Sequence, residues 1–120
     1  MTGASGHRLR LGALGEQRAA DWYRENGYTV VARNWRCREG ELDLVVARPG
    51  ELVFCEVKAR SSARFGTAAE AVTARKQARL RLLATRFLAA SGGGGRRGRD
   101  LRFDVVAVTG GHLEVIEGAF

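Results

Sequence analysis

Cysteine, histidine and proline are nearly absent from this sequence, and each scarcity closes off a class of protein. The only cysteines, Cys37 and Cys55, lack the CxxC spacing of a metal knuckle, and the only histidines, His7 and His112, lie far apart. Neither a zinc site nor a disulfide framework is therefore expected, and both thiols read as packing or surface groups. No apolar run approaches the roughly 18 to 20 residues that span a bilayer, so no membrane partner is expected. Residues 1–10 carry basic side chains with no apolar core behind them, so no export signal is read and the expected location is the cytoplasm. Lysine is scarce too. Of 20 basic residues only Lys58 and Lys76 are lysines; the rest are arginine.

What is present is a small basic domain. At 120 residues and 45% hydrophobic the chain suits one domain, 1–120, with a real core, and disorder throughout is excluded. Residues 1–7 and the basic loop 91–99 are expected to be flexible. Against 13 acidic residues the 20 basic ones leave a net charge of +7, which points to a polyanionic partner, most simply nucleic acid.

Helical spacing runs from Arg8 to Asn26, with Gly27 placed to stop it. Leu11, Gly15, Ala19 and Trp22 share one face of this helix, with Glu16 and Tyr23 at its edge. Tyr28 to Arg36 reads as a strand. Glu41–Arg48 and Glu51–Ala59 read as two more, joined at Pro49-Gly50, where the chain's one proline sits. A loop with Ser61, Ser62 and Gly66 leads to a long helix, Thr73 to Ala90, with Thr73 as its N-cap. Leu101–Val108 and His112–Glu117 form a last strand pair around Gly110-Gly111. The expected architecture is α/β, order α-β-β-β-α-β-β.

The central hairpin carries the chemistry. Alternation along Glu41-Leu42-Asp43-Leu44-Val45 projects Glu41 and Asp43 from one face, and Glu56 and Lys58 share a face of the next strand. With Pro49-Gly50 as the turn, paired residues sum to 99, which sets Asp43 opposite Glu56 and Glu41 opposite Lys58. A three-residue turn would break that pairing. Opposed side chains stand about 4.5 to 5.5 Å apart at Cβ, and two acids so close repel unless a cation sits between them. Paired carboxylates that hold Mg²⁺, beside an ammonium, are what phosphodiester hydrolysis needs. In a chain that otherwise uses arginine, a lysine two residues after Glu56 reads as a choice for a compact point charge. The competing reading is a cross-strand ion-pair cluster on a solvated sheet face. Against it, the flanking Leu44-Val45-Val46 and Leu52-Val53-Phe54 look like central strands, where charge is costly.

The stretch from Gly15-Glu16 through Asn34-Trp35-Arg36 and Gly40-Glu41-Leu42-Asp43-Leu44-Val45 to Glu56-Val57-Lys58-Ala59-Arg60 closely resembles the YraN-like family of uncharacterised bacterial proteins. The likeness continues through Phe65-Gly66, Lys76 and Arg102-Phe103-Asp104, and covers roughly residues 11–117. That family looks like a member of the PD-(D/E)xK, restriction-endonuclease-like superfamily and is similar to archaeal Holliday-junction resolvases. The resemblance implies a three-layer core, a mixed sheet flanked by helices, and metal-dependent DNA cleavage. It implies that Asp43 and Glu56 bind Mg²⁺ (with Mn²⁺ as a substitute), that Lys58 orients the attacking water or stabilises charge, and that Glu16 completes the metal site. The motif proline is replaced by Leu42, a departure that touches no ligand.

Basic residues around the motif have two readings each. Lys76 lies among Val72, Leu80, Leu83 and Phe87, where it either snorkels or reaches the active site from the first turn of its helix. Arg75, Arg79 and Arg86 fall within about 40° on that helix, as a phosphate track or as a solvated face. Arg60 and Arg64 follow the motif strand as candidate DNA contacts, and the Gly92–Arg99 loop reads as a plain linker or, through Arg96, Arg97 and Arg99, as a DNA wrap. Trp35 reads as core. The leading expectation is a Mg²⁺-dependent DNA endonuclease acting on branched or structured DNA; the alternatives are a non-catalytic DNA-binding module and a scaffold with a vestigial acidic cluster. A homodimer would suit a junction substrate, although no residue marks its interface.

Overall fold

The computed structural model describes residues 3–60, 72–92 and 98–120, with side chains from residue 12 onward. Helix α1 spans Gly3–Glu25, beginning ahead of the expected Arg8. Its end is built by Gly27, whose φ of +88° suits glycine. The Gly27 N–H donates to Arg24 O and the Tyr28 N–H to Tyr23 O, a Schellman closure, and the Tyr28 ring meets Tyr23 edge-on at 5.2 Å. The turn is thus sealed by an apolar contact across it. It also starts β1 (Thr29–Cys37), followed by β2 (Gly40–Arg48) and β3 (Glu51–Arg60). Then come α2 (Ala74–Ala90), β4 (Asp100–Thr109) and β5 (His112–Ile116). The order is α-β-β-β-α-β-β, as the sequence predicts.

The five strands form one mixed sheet in the order β1-β2-β3-β4-β5. Only β3 and β4 are parallel; α2 is the crossover between them, as a parallel pair requires. Each helix covers one face. Leu80, Leu83, Ala84 and Phe87 of α2 pack on Leu42, Val45, Leu52, Phe54 and Val105. Ala19, Ala20 and Tyr23 of α1 pack on Leu44, Val46, Val53, Cys55 and Val106. The two strand sets alternate, so the central strands are buried on both sides, and this explains their near-continuous apolar runs. Trp35 packs on Phe87 and belongs to the core. Both cysteines are free thiols. Among the described residues no helix is long and apolar enough to cross a membrane.

The buried stripe of α1 differs from the expected one. Tyr23, expected at the edge of the face, is fully buried, whereas Trp22, expected on the face, is only half-buried. The reason is the small residue at position 15. A Cβ there would stand 2.8 Å from Ala59 Cβ, so glycine lets the helix lie directly on β3 and turns Tyr23 inward. Gly15→Ala should therefore cost about 1 to 3 kcal/mol, because Ala59 Cβ is fixed to a strand and cannot swing away. Urea denaturation measures it; a variant as stable as the parent would show that α1 is free to shift.

Candidate metal centre

The β2/β3 hairpin has the expected register. Arg48 pairs with Glu51 across Pro49-Gly50, and the ladder continues to Leu44 opposite Cys55, every pair summing to 99. There it opens. Beyond Leu44 the backbone pairing stops, and the Val57 N–H donates to the Asp43 Oδ2 at 2.9 Å in place of a strand carbonyl. Alternation breaks at the same point: Leu42 packs on the α2 side and Leu44, two residues on, packs on the α1 side. Asp43 sits at this rotation, beside Glu56, close enough for the two carboxyls to act on each other's ionisation.

Glu56 is only 5% exposed, which excludes the solvated-face reading for this residue. Two lysines neutralise it: Lys76 Nζ lies 2.5 Å and Lys58 Nζ 3.3 Å from the same Oε2. Lys76 arrives from the first turn of α2, which Thr73 caps by accepting the Lys76 N–H at 3.3 Å. Of its two readings, the structure takes the one that reaches this cluster. Burial works against ionisation of Glu56, yet the Lys76 bond and the Lys58 charge hold its carboxyl below the usual value. Asp43 goes the other way. Burial, reinforced by the negative charge of Glu56, pushes it up to about 8, so the pair keeps one proton, on Asp43. Burial and the neighbouring Lys76 lower Lys58, while the Glu56 bond raises Lys76 against its own burial.

Two further acids close the group. The contact of Gly15 with β3 seats the next residue, Glu16, at the open end of the hairpin. Glu16, Glu41 and Asp43 each offer one carboxylate oxygen within 4.8 Å of the others. Glu16 is raised by burial and by the charge of Glu41, with an Asn34 hydrogen bond opposing. Glu41 is the residue that sequence reasoning assigned differently. The expected facing of Glu41 and Lys58 gives way to Arg36, directly across β1, whose Nε donates to Glu41 Oε2 at 2.6 Å. The signal was available, since alternation put Glu41 and Asp43 on one face.

This donor set suits a hard divalent cation. The group is all oxygen and partly buried, and burial beside the charge of Glu56 leaves the Asp43 carboxyl holding a proton at neutral pH. It also lies at the carboxyl end of β3, where open α/β sheets place their ligands. The candidate DNA contacts distribute unevenly around it. Arg60 ends β3, and Arg75 and Arg79 are exposed on the same end of α2 as Lys76. Arg86 is tied to Glu39 through Nε at 3.3 Å and Nη2 at 3.4 Å. Arg64, Arg96 and Arg97 lie outside the described residues, as do Ser61, Ser62, Phe65 and Gly66.

Residues 15–108 match the Uncharacterised protein family UPF0102. The chain belongs to that family. A UPF0102 protein of Frankia alni is 52% identical over 99 residues, covering 82% of this chain and 80% of the relative. One from Rhodococcus jostii is 51% identical over 119 residues, covering 95% and 98%. Another, from Moorella thermoacetica, is 47% identical over 119 residues, covering 94% and 97%. The matched segment of this UPF0102 chain runs from the glycine that seats α1 to the end of the β4 core, and so includes every acid of the cluster.

Proposed function

We propose that this UPF0102 protein is a metal-dependent endonuclease that hydrolyses phosphodiester bonds in DNA, with branched or otherwise structured DNA as its substrate class. The observation that carries this reading is the meeting of Asp43, Glu56 and Lys58 at the open end of one hairpin, with Glu16 brought to them by α1. In this reading the chain is a PD-(D/E)xK protein related to archaeal Holliday-junction resolvases. Mg²⁺, or Mn²⁺ in its place, would be held by Asp43, Glu56 and Glu16, and Glu41, whose carboxylate stands with those of Glu16 and Asp43, would join that set. Bound there, the cation would polarise the scissile phosphate and lower the pKa of a water.

The chain's own residues supply the rest. Lys58 sets a compact positive charge beside the acids, where a phosphate's negative charge would grow during attack. Lys76 offsets the charge of Glu56, and so keeps a buried acid ionised for ligand duty. Arg60, Arg75 and Arg79, flanking the cluster, would hold the DNA backbone, and a net +7 would draw it in.

Labelled junction, flap, single-stranded and duplex DNA, incubated with Mg²⁺, Mn²⁺ or EDTA, tests the proposal. Cleavage should need the metal and fall by about 10³-fold or more in Asp43→Ala and Glu56→Ala. Cleavage that survives both substitutions would sink the site assignment. Binding without cleavage under every metal condition would leave a non-catalytic DNA-binding module. A binding affinity that stays flat as salt rises would remove nucleic acid as the partner.

A further inference from the structure

Asn34 stands out on two independent counts. Among the described residues it is the only non-glycine with positive φ, at +50°. It lies in β1 between Arg33 and Trp35, which pair with Leu44 and Leu42, and so comes directly opposite Asp43. With its amide nitrogen turned toward the acids, the orientation that satisfies both ends of the group, it donates at 3.2 Å to each oxygen of Glu16 and at 3.1 Å to Glu41 Oε1. Left-handed backbone is uncommon outside glycine, and asparagine is among the residues that adopt it most readily. Glycine would satisfy the backbone at position 34 with less strain. What glycine lacks is the amide.

We propose that Asn34 is the positioning residue of the metal centre: its amide bridges Glu16, from α1, and Glu41, from β2, and holds their oxygens where a cation beside Asp43 can use both. The inference rests on the proposed metal-dependent reading. Three chain segments meet here, α1, β1 and β2; Glu41 and Asp43 share β2, but nothing covalent ties Glu16, on α1, to either of them. Without a bridging donor, Glu16 and Glu41 would repel and swing apart toward solvent. A donor to ligand carboxylates typically changes metal affinity by about 10- to 100-fold when removed. The strained backbone is what aims the amide. In regular extended geometry, residue 34 would turn its side chain along the strand alternation, and the face switch seen between Ala32 and Trp35 would be lost.

The test separates the amide from the backbone. Asn34→Gly keeps the left-handed conformation and loses the donor; Asn34→Ala loses the donor and strains the backbone as well. Mg²⁺ alone, titrated by calorimetry into each full-length protein without DNA, gives the affinity, and thermal melts in EDTA give the stability. The expected result is that both variants lose about tenfold or more in Mg²⁺ affinity, equally, although Asn34→Ala melts lower than Asn34→Gly. A role confined to the backbone predicts the opposite pattern, in which Asn34→Gly binds Mg²⁺ like the parent and affinity follows melting temperature; that pattern overturns the proposal and leaves the nuclease reading intact. If the parent protein takes up neither Mg²⁺ nor Mn²⁺, both fall together.

Discussion

Asp43→Asn should raise the melting temperature of the metal-free protein at pH 8, and should show none of the rise with Mg²⁺ that the proposed site predicts for the parent. The sign follows from the direction of the shift. Asp43 has its folded-state pKa pushed up to about 8 from an ordinary 3.8, by burial first and then by the charge of Glu56. The folded protein therefore favours the protonated carboxyl, whereas the unfolded chain gives up the proton as pH passes about 4. Stability attached to this group is complete below that pH and is lost as pH rises toward 8. At about 1.4 kcal/mol per unit, linkage across the whole window allows up to about 6 kcal/mol. Asparagine is neutral at every pH and still accepts from Val57 N–H, so it escapes most of that loss. Solvent at the open hairpin end reduces the gain to about 2 kcal/mol, or roughly 8 °C for a domain of this size. The gap should narrow as pH falls to 5. With Mg²⁺ the ranking should reverse, because a cation held only by the folded parent would stabilise it by mass action and would find no full ligand set in the variant. Melts of both proteins from pH 5 to 8.5, with EDTA and with Mg²⁺, give all four quantities. An Asp43→Asn protein less stable than the parent at pH 8 would mean that the acids form a self-sufficient ion-pair cluster rather than a site that lacks its cation.

Why the acids were legible and their partners were not is a matter of range. Register across Pro49-Gly50 is a local property, fixed by a two-residue turn, so the pairing sum of 99 and the meeting of Asp43 with Glu56 follow from the sequence. The strand runs were legible for the same reason: apolar residues on both sides of β2 and β3 leave no other place for them than the centre of a sheet. Glu41 was assigned to Lys58 because the rule was extended past the point where the ladder opens. Nothing short-range marks that point. It depends on Asp43 replacing a backbone acceptor and on Asn34 rotating β1 opposite it. Lys76 is 20 residues from Glu56 and joins it only because α2 crosses from β3 to β4 and presents its first turn to the carboxyl end of the sheet. The Tyr23 misplacement has the same origin, since helical spacing gives a face but a steric contact at Gly15 sets how that face is turned.

The second large effect lies away from the acidic cluster, beneath α1. Asp104 is fully buried and accepts from four donors: Tyr23 OH at 2.6 Å, Arg102 Nε at 2.8 Å, Arg102 Nη2 at 2.9 Å and the Gly118 N–H at 3.0 Å. Arg102 also donates to Glu51 Oε1 at 2.6 Å and to the Tyr28 hydroxyl at 3.0 Å. One carboxylate thus ties α1, β4 and the segment after β5 into a single network. Asp104→Ala removes the acceptor and leaves the Tyr23 hydroxyl and much of a guanidinium desolvated beneath the helix. Breaking a buried pair from one side costs about 3 to 5 kcal/mol, a large share of the 5 to 15 kcal/mol that holds a typical domain together. The urea midpoint should fall accordingly. Removing both charges tells the pair's own worth apart from the penalty of orphaning Arg102. An Arg102→Met, Asp104→Leu protein should be more stable than Asp104→Ala, because no buried charge is left unpaired and the groups that lose partners, the Tyr23 and Tyr28 hydroxyls and the Gly118 N–H, are neutral apart from Glu51, which keeps Arg48. If the single substitution costs less than about 1 kcal/mol, the network is solvated and contributes little. The contrast with Asp43 is physical. Asp104 meets four donors and so repays its burial, whereas Asp43 meets one backbone donor and another acid, and so keeps a proton at neutral pH.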